Sequence, residues 1–473
     1  MKKLPLIILS AVALGVIASP AIVGVSIKSN LRDSIDRINT LTAYRVTEVS
    51  YLSGWRSSEA TFQAELRGIS EMAQEHPEMA EFFNAFKATT TIDIAHGPFL
   101  PGKGFGLASW TSYLHDIESL RNYVVLDEGQ YLFETTGWVG LNGNIYFEEF
   151  VPEIFFVAPS KLSVHFDGYT SKGSTVDGYT TYAGESGDME ISSPQGNLHI
   201  GPFSLDMDMT ATLDQALSGE LFDSSISFNI SEIKLHGAQS LELLNLAISG
   251  VSEMQPDGQL ADLSAKYSLG SLSAEALDIH DAILEVGIDR YSNEFQKNYM
   301  EFSLANMSTI DMPPEAAEQF FMDSLLLLLA PAPTFGVRQF SFTLPEGRFD
   351  SSFSIKFDPV ANLPSSPLEN PIFWLDKVLA TFSFSADEKV IHKMVAHYIE
   401  DMAGVNLDDM EEEERNALVQ SQIQTLVGMV QGIGFVQLTD GKYSSKIVYD
   451  HGSAVVNGQP YALPFGTPPA TSP

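Results

Sequence analysis

His96 is the residue whose surroundings first raise the question of acid–base chemistry. It lies in the stretch TIDIAHGPFLPGKG, residues 91–104, three positions after Asp93. A histidine that acts as a general base needs an orienting carboxylate and a nucleophile or metal within reach. On one extended strand, residues 93 and 96 point to opposite faces, so Asp93 is not placed to orient the imidazole. Gly97 and Pro98 favour a turn at this point, because proline restricts the preceding residue and glycine tolerates unusual backbone angles.

A second stretch, LHIGPFSLD, repeats this pattern with His199, Gly201 and Pro202. Two occurrences are more typical of a repeated strand-and-turn arrangement than of a single active site. We therefore interpret His96 as the structural end of a strand.

Other candidates for chemistry are weaker. His392 and His397 are five residues apart in a predicted helix, so they lie about 140° apart around its axis. Zinc-binding histidines on a helix are usually closer in phase, in an HExxH frame, and this frame is absent from the sequence. The sequence also lacks GxSxG, GxxxxGK[ST] and GxGxxG, and it contains no cysteine. We expect a non-enzymatic protein with no catalytic residues, no metal and no cofactor.

The composition describes a folded and strongly acidic protein. The chain has 473 residues, of which 44% are hydrophobic, enough to bury a substantial core. It carries 26 basic and 61 acidic residues, for a net charge of −35. Phosphate backbones repel such a chain, so nucleic acid is excluded as a partner.

The N-terminus predicts a membrane anchor. Lys2 and Lys3 precede an uncharged run over residues 4–27, which ends at Lys28. As a helix this run would span about 36 Å, more than the roughly 30 Å core of a bilayer. The positive residues predict a cytoplasmic N-terminus and a body outside the cytoplasm. The alternative is a signal peptide cleaved at residues 19–21, Ser-Pro-Ala.

Continuation of a helical pattern past the apolar run favours the uncleaved anchor. Leu31, Ile35, Ile38 and Leu41 share one helical face, which a helix leaving the membrane explains better than a severed leader.

Hydrophobic periodicity divides the rest of the chain. Residues 29–143 predict a helix, a hairpin and the HGPF region, and residues 144–290 alternate with period two, as in Leu205, Met207 and Met209. Residues 291–463 alternate helices with hairpins, and residues 464–473 form a polar tail that we expect to be disordered. The predicted fold is α+β and mostly antiparallel β. It is an elongated, curved, meander-type sheet with several packed helices in the C-terminal third and an N-terminal transmembrane helix over residues 1–28.

The order of these segments resembles the YdgA-like family of Gram-negative envelope proteins, a domain family of unknown function. Specific residues carry the resemblance: Tyr51, Gly54 and Trp55 in SYLSGWRSSEA, then His96, Gly97, Pro98 and Phe99, and finally Asn457 and Gly458 in the closing hairpin. The chain departs from the family pattern at Ser53 and Arg56. The resemblance implies an inner-membrane anchor and a periplasmic body, and it implies no catalytic residues.

Two functional hypotheses remain. One is an envelope scaffold that self-associates or binds another envelope protein. The other is binding or transfer of an apolar ligand such as lipid, because the apolar face of a long sheet needs a cover, a partner or a ligand. Helices of residues 290–330 and 370–430 that fill the face would favour the scaffold, and a face left open would favour the ligand.

Overall fold

The computed structural model describes residues 24–40, 44–66, 88–116, 124–125, 130–157, 161–211, 213–237, 240–274, 277–306, 314–364, 370–403 and 410–463. The described chain forms two compact units. Unit 1 comprises Met1–Ala238 and Gln296–Phe320, and unit 2 comprises Gln239–Phe295 and Phe321–Pro473. Most of the predicted anchor and the whole predicted tail lie outside the described residues.

Strands dominate both units. In unit 1 they are β1 (Tyr44–Ser53), β2 (Ser57–Leu66), β3 (Ala88–His96), β4 (Phe99–Leu100), β5 (Gly104–Phe105), β6 (Ala108–Asp116), β7 (Val124–Val125), β8 (Phe133–Val139), β9 (Ile145–Val151), β10 (Ile154–Val157), β11 (Ser163–Phe166), β12 (Tyr169–Val176), β13 (Tyr179–Ser186), β14 (Met189–Ser193), β15 (Gly196–Ile200), β16 (Phe203–Thr210) and β17 (Ser224–Gly237). In unit 2 they are β18 (Leu241–Met254), β19 (Leu260–Ala274), β20 (Leu277–Ser292), β21 (Thr334–Leu344), β22 (Gly347–Phe357), β23 (Val378–Asp387), β24 (Gln437–Thr439), β25 (Lys442–Asp450), β26 (Ser453–Val456) and β27 (Gln459–Tyr461).

The described helices are fewer. They are α1 over residues 24–40, α2 (Leu213–Ser218), α3 (Asn293–Asn306), α4 (Pro314–Leu329), α5 (Pro371–Leu375), α6 (Glu388–Ala403) and α7 (Glu412–Gly432).

The sheet of unit 1 is antiparallel throughout. Its hydrogen-bonded order is β1-β2-β3-β6-β8-β9-β12-β13-β16-β17. The second half of β17 continues into β15-β14-β11-β10-β7. When β9 with β10, β11 with β12, β13 with β14 and β15 with β16 are each taken as one interrupted strand, the order becomes a simple meander.

The interruptions line up across neighbouring strands because proline and glycine occur at the same level of the sheet. Pro152 follows β9, Gly168 separates β11 from β12, and Gly201-Pro202 separates β15 from β16. Proline cannot donate a ladder hydrogen bond, and Gly168 has φ +94°, which favours glycine. Hydrogen bonds bridge the interruption between neighbours, as from Gly201 N–H to the Glu232 carbonyl at 2.8 Å.

Unit 2 is also built on an antiparallel sheet, and several of its strands are longer. Its order is β18-β19-β20-β21-β22-β23-β25-β26-β27, antiparallel at each step, and β24 also pairs with β25. Helix α6 follows β23 directly and packs on β22 and β23. Val395 and Ile399 of α6 form a buried cluster with Ile423 of α7.

The predicted α+β class, dominated by antiparallel strands, is confirmed. The predicted one-sided alternation of β16 is also confirmed, since Met207 and Met209 are partly buried whereas Asp206 and Asp208 are exposed. The predicted transmembrane helix has no support here: no described helix is both long and apolar enough to cross a bilayer.

Candidate functional site

His96 ends strand β3, as the sequence predicts, and it is 2% exposed. Its Nε2 lies 2.9 Å from Ser58 Oγ on the neighbouring strand β2. Its backbone N–H donates to the Arg56 carbonyl at 2.8 Å, which fixes the end of the strand. No sequence signal points to Ser58, because its proximity to His96, 38 residues away, depends on the pairing of β2 with β3.

Helix α1 lies directly against the His96 ring. A Cβ added to Gly24 would come within 2.5 Å of His96 Cε1. The helix can therefore lie this close to the imidazole only because residue 24 has no side chain. One turn later the Lys28 ammonium lies 4.6 Å from the centre of the Tyr51 ring, within cation–π range. The motif residues Tyr51 and His96 therefore hold α1 on the sheet.

Further along, α1 follows strand β1. Arg32 donates to both Glu48 carboxylate oxygens at 2.9 and 2.8 Å. These hydrogen bonds lower the pKa of Glu48. The side chain of Asn39 then pairs with the backbone of Val46, through both its amide and its carbonyl. The contacts run in order along β1, so residue 24 marks the end of α1 nearest His96.

The Gly97-Pro98 bond is cis, and the chain turns here into the short β4–β5 hairpin. Gly97 N–H donates to the Leu107 carbonyl at 2.8 Å, and a Cβ on Gly97 would overlap the Gly106 carbonyl oxygen. The rings of Phe99 and Phe105 pair across the hairpin with centroids 4.4 Å apart, and both remain exposed. Gly54 and Trp55 form the neighbouring β1–β2 turn, where Trp55 is also exposed.

Ser58 and His96 together resemble two members of a nucleophilic triad. Such a triad needs a carboxylate on the second imidazole nitrogen and an open approach to the serine. His96 Nδ1 has no hydrogen-bond partner among the described residues, and Ser58 is buried. The arrangement therefore favours the structural interpretation of His96 over the catalytic one.

The last two motif residues lie in unit 2, at the β26–β27 turn. Asn457 has φ +50° and Gly458 has φ +80°. Two consecutive residues with positive φ are what the favoured two-residue hairpin turn requires. The Asn457 side chain donates to the carbonyls of Gly434 and Phe435 at 2.9 and 3.2 Å and accepts from Lys446 N–H at 2.8 Å. It thus joins the turn to β25 and to the segment after α7.

The apolar face of the unit 1 sheet is lined by aromatic rings that lie flat over glycines. A Cβ on Gly137 would overlap the Trp110 ring, and one on Gly173 would overlap the Phe147 ring. These residues belong to one row across the sheet, followed by Tyr182, Met207 and Ile226. Ile226 is exposed, whereas most members of the row are partly buried.

A carboxylate with two hydroxyl partners also lies on this face. The Glu149 carboxylate accepts from Ser171 Oγ at 2.8 Å and from Tyr182 Oη at 2.7 Å. Burial raises the pKa of Tyr182, and the hydrogen bonds with Tyr169 and Glu149 raise it further. The two hydroxyl donors satisfy the carboxylate, and the alternation of the sequence did not predict this group.

The apolar face of unit 2 is more open. Phe340 on β21 and Phe353 on β22 are each 40% exposed. Their neighbours across the sheet are Tyr267, Leu284, Val286, Val337, Ser351, Phe382, Phe384 and Ile447. The strand register places no charged residue among these neighbours. On the opposite face of β22 and β23, hydroxyl groups pair instead, as between Ser354 Oγ and Thr381 Oγ1 at 2.7 Å.

Unit 1 contains two open cavities. The first, of about 490 Å³, is lined by the stacked rings of Trp138 and Tyr146, by the ion pair of Lys172 with Glu148, and by Lys103 of the β4–β5 hairpin. The second, of about 630 Å³, is lined in part by Glu59, Asp93, Trp110 and Pro101.

One group in the described chain has the composition of a cation site. His165 Nε2 lies 2.7 Å from Glu153 Oε1 and 3.2 Å from Asp167 Oδ1, at the interruption of the meander. The histidine already pairs with both carboxylates, and Glu153 and Asp167 are exposed whereas His165 is partly buried. His199 pairs with Glu232 in a similar way. Here the second partner is Lys234, which pairs with Glu232, and there is no second carboxylate in this group.

Comparison with known proteins gives a family. A family model described as "Bacterial protein of unknown function (DUF945)" matches residues 1–464. The chain belongs to this family. It is also 21% identical over 251 residues to Protein YdgA of Escherichia coli (strain K12), in an alignment that covers 51% of this chain and 49% of that protein. The chain thus spans about half the length of this curated relative, and no solved structure matches it. The resemblance to the YdgA-like family is confirmed.

Proposed function

We propose that this DUF945 protein is a non-enzymatic envelope protein that binds the acyl chains of lipid along the apolar face of its sheet. In this proposal residues 4–27 anchor the chain in the inner membrane. The N-terminus is cytoplasmic and the body lies outside the cytoplasm, as the two lysines before the uncharged run indicate. The resemblance to Gram-negative envelope proteins implies that the body is in the periplasm.

The observation that supports ligand binding is the open apolar face of unit 2. Helices α6 and α7 bury a cluster of their own, and α6 packs on β22 and β23. Even so, Phe340 and Phe353 keep 40% of their surface exposed, in two adjacent rows of mainly apolar residues. Contiguous exposed apolar surface of this kind marks binding grooves and interfaces.

The chemistry of the face favours acyl chains over a protein partner. A specific protein interface places polar groups around its apolar centre, and these groups select the partner. The rows around Phe340 and Phe353 contain aliphatic and aromatic residues and one hydroxyl residue, Ser351, and they contain no charge. Such a surface offers contact area with little directional recognition, which suits a flexible hydrocarbon.

The test is site-specific photocrosslinking in cells labelled with radioactive phosphate. Benzoylphenylalanine is placed in the full chain at the position of Phe353. The matched control is the position of Lys356, which is exposed and lies on the opposite face of β22. We expect a labelled phospholipid adduct at position 353 and none at position 356.

Other outcomes separate the alternatives. A crosslinked dimer at position 353 without lipid would establish the self-associating scaffold in place of lipid binding. An adduct with a different envelope protein would establish a scaffold for that partner. Equal lipid labelling at both positions would mean that the apolar face has no special affinity, and the proposal would then be rejected.

A further inference from the structure

Three turns of unit 1 lie side by side at one end of its sheet. They connect β1 to β2, β3 to β6 and β8 to β9, and the registry joins them through Ser57 with Ala95, His96 with Ala108 and Ala108 with Val139. We refer to residues 52–57, 97–107 and 139–145 as the turn cluster.

The turn cluster carries large apolar side chains in solvent. Leu52, Trp55, Phe99, Phe105 and Leu141 are each more than half exposed. They come from all three turns, so the exposed apolar surface belongs to the whole end of the sheet. Exposure of this extent at hairpin turns contributes nothing to the core.

The charge of the turn cluster departs from that of the chain. The protein has 61 acidic and 26 basic residues, yet the three turns contain Arg56 and Lys103 and no acidic residue. Both basic residues are exposed. Exposed aromatic residues with flanking basic residues suit the boundary between a bilayer and water, where aromatic rings lie at the headgroup level and cations pair with phosphates.

Helix α1 meets the sheet at this same end. Gly24 contacts the His96 ring at the base of the β4–β5 hairpin, and the helix then runs along β1 toward Val46. The uncharged run over residues 4–23 therefore joins the body beside the turn cluster.

From these observations we infer that the turn cluster inserts into the lipid headgroup layer beside the anchor and sets the orientation of unit 1 on the membrane. The ligand is the bilayer surface, with apolar side chains among the upper acyl chains and Arg56 and Lys103 near anionic phosphates. This inference rests on the anchor of the proposed function and does not depend on lipid binding in unit 2.

The test uses depth-dependent fluorescence quenching, which the absence of cysteine makes straightforward. The full-length chain is reconstituted in vesicles of about three parts phosphatidylethanolamine to one part phosphatidylglycerol. Leu141→Cys and Phe105→Cys variants are labelled with an environment-sensitive fluorophore. Val157→Cys is the matched control: Leu141 and Val157 are both 59% exposed, but Val157 lies at the far end of the interrupted β9–β10 strand.

We expect lipids brominated on their acyl chains to cause about a twofold loss of emission at positions 105 and 141 and no loss at position 157. Arg56→Gln combined with Lys103→Gln should reduce the quenching in anionic vesicles. A chain that floats with the vesicles but shows no quenching at positions 105 and 141 would overturn the inference and leave the anchor standing. A chain that does not float would overturn both. Equal quenching at all three positions would show non-specific adsorption and would also overturn the inference.

Discussion

At the scale of single residues, the same amino acid has opposite consequences in two helices. Gly24 in α1 faces the His96 ring, and a Cβ there would come within 2.5 Å of it. Gly428 in α7 has no heavy atom within 4 Å of its hypothetical Cβ. In a helix, glycine costs backbone entropy relative to alanine, so its presence at residue 24 has a packing reason that is missing at residue 428.

Alanine substitutions should therefore change stability in opposite directions. Gly24→Ala should lower the free energy of unfolding by about 1–3 kcal/mol, because the close-packed contact with His96 must open. Gly428→Ala should raise it by about 0.5–1 kcal/mol through helix propensity. Urea unfolding of the detergent-solubilised full chain measures both. Stabilisation by Gly24→Ala would mean that α1 does not rest on His96.

His451 links two acidic residues across unit 2. It has a left-handed backbone, its Nδ1 contacts the Asp450 carboxylate, and its Nε2 lies 3.0 Å from Asp358 Oδ2. The hydrogen bond with Asp450, and then that with Asp358, raises the pKa of His451 above its ordinary 6.5. A raised pKa in the folded state means that the protonated histidine stabilises the fold.

This stabilisation should depend on pH in a defined direction. It is fully present below about pH 6.5, the pKa of the unfolded state, and is lost as the pH rises through the higher folded pKa. His451→Asn keeps a residue that tolerates the left-handed backbone. We expect its loss of stability relative to wild type to be larger at about pH 5.5 than at about pH 9. A loss that is the same at both values would show that the charge of His451 has no part in it.

At the scale of elements, neighbouring residues of strand β16 lie on opposite faces of the sheet. Met207 pairs with Tyr182 and Ile226 on the apolar face, whereas Asp206 is exposed on the other. Met207→Asp should destabilise the protein by about 2–4 kcal/mol, since a charge enters an apolar row. Asp206→Ser should stay within about 0.5 kcal/mol of wild type by chemical denaturation. Similar losses of stability for the two variants would contradict the observed strand register.

The alternation of apolar and polar residues that puts Met207 on the apolar face also explains how much of the fold the sequence predicts. Period two, with turn residues between strands, predicts the antiparallel meander, and the helices at residues 293–306, 314–329 and 412–432 follow from helical spacing and composition. The aligned interruptions do not follow, because Pro152 and Gly201 reach the same level only after the strands pair. For the same reason the sequence placed His96 at the end of a strand but could not place Ser58 or Gly24 against its ring.

At the scale of the whole molecule, the chain passes back and forth between its units. Unit 1 takes Gln296–Phe320 from the middle of the sequence that builds unit 2. Within unit 1, Met300 of that segment fills the space beside Gly219, and Lys297 pairs with Glu220 at 3.0 Å. A fragment that stops at residue 238 would lack these contacts, so the two units are not independent pieces of sequence.

The net charge of −35 acts on the same scale. The 61 acidic residues outnumber the 26 basic residues by 35, so repulsion between carboxylates opposes compactness at neutral pH. Salt screens this repulsion, and we expect Tm at pH 7 to rise by roughly a few degrees as sodium chloride increases from about 20 to 200 mM. The internal control is pH, because the sequence pI is about 4.4. Near that pH the net charge disappears and the same addition of salt should leave Tm nearly unchanged. If salt instead lowered Tm at pH 7, the attractive ion pairs, such as Arg32 with Glu48, would outweigh the repulsion among the carboxylates.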